Sequence, residues 1–87
     1  MSDRALSLLE EAYGADSTNL TYARALSAGY IEAGRMQDAL HINERLSAAD
    51  PEDDDVRYRL IQLYARTGEL KKGIQLATEL QKRFQPM

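Results

Sequence analysis

No cysteine occurs among the 87 residues of the chain, which excludes disulfides and thiolate metal sites. That absence fits cytosol and periplasm equally, so the compartment stays open. Basic residues are not in excess either: the net charge is -3 and the pI about 5.0. Binding to a phosphate backbone needs clustered Lys and Arg, so no nucleic-acid partner is expected. The same balance gives no attraction to anionic membranes. Long apolar runs are missing too, none approaching the ~18 residues that span a bilayer. From Ser2 onward the N-terminus is polar, with no apolar signal core. There is one histidine, His41, and its helix-face neighbours would be Gln37, Asp38, Glu44 and Arg45. That is the setting of a solvated surface residue. No Ser–His–acid trio and no phosphate-cradling glycine loop appears. The acidic run Glu52, Asp53, Asp54 and Asp55, beside Asp50, lacks the glycine and terminal bidentate Glu of a calcium loop. It reads as a linker and helix N-terminus. No enzyme activity, cofactor or metal is expected.

What the chain does have is helical periodicity. Ala5, Leu6, Leu8, Leu9 and Ala12 mark a first helix, and Leu20, Ala23, Leu26, Tyr30 and Ile31 a second. Met36, Leu40, Ile42 and Leu46 mark a third, and Val56, Leu60, Leu63 and Tyr64 a fourth. Leu70, Ile74, Leu76, Ala77, Leu80 and Phe84 mark a fifth. No segment alternates as a strand would. Gly14, Gly34 and Gly68 each follow an apolar pattern, where a left-handed residue ends a helix. Ser17, Thr18 or Asn19 can cap the second helix, and Asp53 or Asp54 the fourth. Short loops force consecutive helices to pack antiparallel. Tyr22, Tyr30 and Tyr64 are expected in the core with hydroxyls at its edge.

Displacing the sequence by 34 residues against itself brings Leu26 onto Leu60, Tyr30 onto Tyr64 and Gly34 onto Gly68. Leu40 then falls on Ile74 and Leu46 on Leu80, while Ala5, Leu6 and Asp16 fall on Ala39, Leu40 and Asp50. With these residues, and with Asp50-Pro51 between repeats, the chain resembles the tetratricopeptide repeat family, whose period is the same. The resemblance implies an all-α fold of five helices. Antiparallel helix pairs would stack as a short right-handed α-α superhelix in one domain. Residues 1–19 would carry the second helix of a partial repeat, and 20–53 and 54–87 would be complete repeats.

Departures from the family pattern are visible. Ala23 and Arg57 replace the early aromatic of the first helix, and Leu9, Asn43 and Ala77 replace the aromatic of the second. At the crossing of the two helices, Ser27 and Ala39 in one repeat become Ile61 and Gly73 in the next. A large side chain against a missing one keeps the volume, so Ile61 is expected over Gly73.

In the family, first helices line a concave groove that holds extended peptides or helices. Carried over by position, that groove comprises Thr21, Arg24, Ala28, Ile31 and Glu32, then Asp55, Tyr58, Arg59, Gln62 and Arg66. The arginines can make forked bonds to carboxylates. Chaperone-binding members grip a C-terminal carboxylate with Lys and Asn; Arg24, Ala28 and Arg59 do not reproduce that set. A protein or peptide partner is therefore expected, of unspecified identity. Two alternatives stand beside it. Apolar surface at Leu76, Leu80 and Phe84, and on the first helix, could drive homo-oligomer formation. Thr21-Tyr22 and the run 33–39 also resemble pentatricopeptide repeats, which bind single-stranded RNA. Those usually have a longer period and are basic.

Overall fold

The computed structural model describes residues 2–83. Phe84 and Pro86, which entered the sequence reading, lie outside the described residues. Five helices follow one another: α1 (Asp3–Ala15), α2 (Leu20–Glu32), α3 (Met36–Ala49), α4 (Asp54–Arg66) and α5 (Leu70–Arg83). No strand occurs among the described residues. Each helix packs on its neighbour in the chain, α1 on α2, α2 on α3, α3 on α4 and α4 on α5. The result is elongated, 48 × 25 × 16 Å, with a radius of gyration of 13.9 Å. A single globular core of this length would give about 12 Å.

Local chemistry sets the helix ends. The Ser2 hydroxyl accepts from the Ala5 N–H and opens α1. Of the candidates for α2, Asn19 is the cap, its Oδ1 accepting from the Tyr22 N–H at 3.2 Å. Asp53 caps α4, accepting from the N–H groups of Asp55 and Val56. Gly34 and Gly68 have φ of 77° and 85°. At each, two N–H groups turn back to free carbonyls of the preceding helix. Gly34 donates to Ile31 and Arg35 to Tyr30; Gly68 donates to Ala65 and Glu69 to Tyr64. This pair of hydrogen bonds closes a helix and needs a left-handed residue. Gly14 differs from expectation, because it lies inside the last turn of α1. Asp16 closes that helix without a positive φ, as Asp50 closes α3.

The core runs as a ribbon through Leu6, Ala23, Leu26, Tyr30, Ala39, Leu40, Ile42, Leu46, Val56, Leu60, Leu63 and Tyr64. Burying each large apolar side chain is worth about 1.5–3 kcal/mol. Four expected core residues stand outside it: Leu8, Leu20, Leu70 and Ile74 are 56%, 38%, 59% and 66% exposed. Their equivalents clarify why. Leu8 corresponds to Ile42, which is buried against its neighbours, and Ile74 to Leu40, also buried. Among the described residues α1 and α5 each have a helix on one side only, whereas α3 has one on both.

Tyr30 and Tyr64 are buried, and Tyr22 is half-buried. The Tyr30 hydroxyl donates to Glu10 at 2.7 Å and the Tyr64 hydroxyl to Glu44 at 3.0 Å. Burial, then the bond to the carboxylate, pushes both phenols up to about 12. Each pair joins a helix to the one before it, and the second is the first displaced by the sequence period.

Gly73 lies where α5 crosses α4 closely. A β-carbon there would stand 3.3 Å from Tyr64 Cβ and 3.6 Å from the Ile61 carbonyl oxygen, with no Ile61 side-chain atom within 4 Å. The expected seat of the Ile61 side chain over Gly73 is therefore corrected. It is the main chain of α4, together with Tyr64, that approaches the glycine, and Ile61 is half-buried beside it.

Candidate functional site

The residues assigned by position to a groove come from α2 and α4. Spacing of three, four and seven residues puts Asp55, Tyr58, Arg59, Gln62 and Arg66 along one side of α4. Thr21, Arg24, Ala28, Glu32, Asp55, Tyr58, Gln62 and Arg66 are exposed, and Ile31 and Arg59 are half-buried. Two hollows lie between the helices and meet at Arg59. One, of about 240 Å³, is lined by Arg24, Asp53, Asp55, Val56 and Arg59. The other, of about 60 Å³, is lined by Ile31, Met36, Arg59, Gln62, Leu63 and Arg66. Thr21, Ala28, Glu32 and Tyr58 line neither.

The first hollow is electrostatically mixed. Arg24 donates to Asp53 at 3.4 Å, while the other Asp53 oxygen caps α4. Others of the acidic run are also engaged: Asp50 accepts from the Glu52 N–H, and Glu52 and Asp54 each bond Arg83 at 2.9 Å. Among the described residues no group of three or more His, Asp or Glu is arranged to hold a metal ion.

The second hollow is cationic over an apolar floor, and it is braced from behind. Asn43 is completely buried on α3. Its amide nitrogen donates to the Ser27 hydroxyl and to the Ala39 carbonyl, both at 2.7 Å. Both donors being used, Oδ1 faces Arg59 and accepts from its Nη1 at 3.5 Å. A polar chain thus runs from α2 through α3 to the exposed face of α4. The groove carried over by position omits Asn43, which the family pattern marks only as a lost aromatic, and Met36 and Leu63, which periodicity marks only as apolar helix positions. An Asn at a position the helix pattern makes internal, with Ser27 at the crossing, was the available signal, since a buried amide needs partners.

A further hollow, of about 400 Å³, lies among Tyr13, Leu20, Ala23, Arg45, Leu46 and Ala49, at the ends of α1 and α3. Arg45 donates to the Tyr13 hydroxyl at 3.1 Å across it. His41 is exposed on α3.

Antiparallel helix pairs repeating their caps, turns and buried tyrosines at a fixed interval define a helical repeat protein. A family model described as tetratricopeptide repeat matches residues 30–86, and the chain belongs to that family. Tetratricopeptide repeats generally mediate protein–protein interaction and are typically non-enzymatic scaffolds. No curated protein and no solved structure matches the chain significantly. No described helix is long and apolar enough to cross a membrane.

Proposed function

We propose that this chain is a protein-binding module, not an enzyme, and that a peptide or helix of the partner lies along the face shared by α2 and α4. Residues 20–53 and 54–87 act as two repeats, with 1–19 carrying the second helix of another. The observation that carries the reading is an exposed face with Arg24, Tyr58, Arg59 and Arg66 beside two hollows. Tyr and Arg provide contact area and directed bonds at protein interfaces.

Charge reversal tests it. Arg24→Glu and Arg66→Glu together change two exposed residues, so the helical signal should stay intact. Capture of partners by crosslinking from Tyr58 is expected to fall about ten-fold, the loss of roughly 1.4 kcal/mol. Unchanged capture of the same partners counts against the reading.

Leu80, expected on an exposed end surface, is buried at 3% exposure, and Leu76 is half-buried; the exposure of Leu8, Leu70 and Ile74 instead favours a second reading, self-association through the outer faces of α1 and α5. It predicts a mass that rises with concentration in light scattering. A strict monomer at high concentration removes it.

A further inference from the structure

We propose that the hollow where α1, α2 and α3 meet binds a small apolar carboxylate, a medium-chain alkyl acid. Its head pairs with Arg45, and its tail lies over Leu20, Ala23 and Leu46. The site stands apart from the α2–α4 face, because it shares no lining residue with either hollow of that face.

Size and lining come first. The hollow holds about 400 Å³, within the roughly 300–1,000 Å³ of small-molecule sites. Antiparallel packing brings the last turns of α1 and α3 beside the first turn of α2. Ala23 and Leu46 are buried at its base, and Leu20, Ala48 and Ala49 are exposed around it. Three alanines among these five leave space that larger side chains would fill.

Arg45 is the one charged residue of the lining. Its Nη1 donates to the Tyr13 hydroxyl at 3.1 Å, and its guanidinium carbon lies 5.9 Å from the Tyr13 ring centroid. Among the described residues nothing accepts from its Nε or Nη2. Arginine carries five N–H donors in a planar fork, so a pair stays free for a carboxylate. Such charge-assisted bonds are roughly twice as strong as neutral ones. Asp16 and Asp50 close α1 and α3 nearby but are not part of the lining. Their carboxylates accept from Thr18, Asn19 and the Glu52 N–H.

The next repeat shows that the fold does not dictate the opening. One period on, Thr18, Leu20 and Ala49 become Glu52, Asp54 and Arg83, which are joined by two ion pairs of 2.9 Å. Arg45 becomes Glu79. The same backbone is closed by charge in one repeat and left open, apolar and cationic at its rim in the other.

Octanoate, octanol, octylamine and acetate provide the test, each titrated into the full chain and followed by amide NMR. Octanoate is expected to shift the signals of Tyr13, Leu20, Ala23, Arg45 and Ala49. It should bind about ten-fold tighter than octanol, with octylamine weaker than both and acetate shifting none of them. Arg45→Gln should abolish the preference for octanoate and leave octanol binding unchanged, a split that a merely structural role would not produce. Thr18→Glu, Leu20→Asp and Ala49→Arg together should close the hollow and remove binding of both. Arg45→Gln changes one exposed side chain, so it keeps the test independent of how that triple variant folds. If octanol or octylamine binds as tightly as octanoate, the carboxylate seat on Arg45 is overturned. If acetate shifts the same signals as strongly, the tail site falls. If octanoate moves no signal of the hollow, the proposal is wrong altogether. A tetrapeptide ending in Leu with a free carboxylate that displaces octanoate at lower concentration would reassign the hollow to a protein C-terminus and overturn the small-molecule site.

Discussion

The hairpins α2–α3 and α4–α5 share a backbone plan and differ in nearly everything that fills it. Their turns make the same pair of hydrogen bonds at Gly34 and Gly68, and their tyrosines reach back to Glu10 and Glu44. Even the cation above each ring recurs from a different position: Arg35 lies 4.8 Å from the Tyr30 centroid and Lys72 5.9 Å from that of Tyr64. The crossings diverge. Ser27 and Asn43 make a buried hydrogen bond in one, where Ile61 and Ala77 stand in the other. The outer ends diverge as well. Ala49, Thr18 and Leu20 leave an apolar hollow, whereas their equivalents Arg83, Glu52 and Asp54 are joined by two ion pairs. Hydrogen bonds of the turns and rings thus define the repeat, and the crossing accepts either polarity provided its groups are satisfied.

The strongest way to break this equivalence is to truncate one position in both hairpins. Leu40→Ala removes a buried side chain with helices on both sides and should cost about 2–5 kcal/mol. Ile74→Ala, its counterpart at 66% exposure, should stay within about 0.5 kcal/mol. Urea unfolding measures both; equal losses would mean that α5 is covered in solution.

Next in size is the crossing. Asn43→Ala leaves the buried Ser27 hydroxyl and Arg59 without that partner, at a cost of about 1–3 kcal/mol. Transplanting the other hairpin's solution, Ser27→Ile with Asn43→Ala and Ala39→Gly, should recover part of that loss. If the triple variant is less stable than Asn43→Ala alone, the two crossings are not interchangeable.

The smallest effects concern the shared tyrosines. Tyr30→Phe and Tyr64→Phe should each cost about 1 kcal/mol, the net worth of one hydrogen bond. Their pH dependence has a definite sign. Both phenols titrate higher in the folded chain than the ordinary value of 10.0. The stability they contribute is therefore complete below pH 10 and is lost as pH rises towards about 12. Phenolate absorbance should show two late-titrating tyrosines in the native chain and none in urea; a single common midpoint near 10 would contradict the Glu10 and Glu44 contacts.

Much of the fold was legible because it depends on local chemistry. A left-handed glycine, a side chain able to cap and a helical apolar stripe announce themselves over a few residues, as at Gly34, Asn19 and Leu26. What was not legible depends on neighbours. Gly14 has the same identity as Gly34 but continues its helix, since Asp16 ends α1 with ordinary backbone angles. Leu8 and Ile74 read as core because periodicity reports a face and not what covers it. Volume alone puts the Ile61 side chain over Gly73, although the approaching atoms are Tyr64 Cβ and the Ile61 carbonyl oxygen. On the candidate site, the family pattern names Arg59 and Arg66. It cannot show that Asn43 stands behind one of them or that Met36 and Leu63 supply the floor, because those relations cross three helices.

That helix packing runs between chain neighbours has a kinetic consequence. Apart from side-chain links such as Arg45 to Tyr13 and Arg24 to Asp53, packing does not wait for a distant segment, so little loop entropy opposes the first steps, and such local topologies form in microseconds to milliseconds. Ordering can start in either hairpin and spread by nearest-neighbour coupling. Loss of structure should begin at α1 or α5, each held from one side, and reach α3 last.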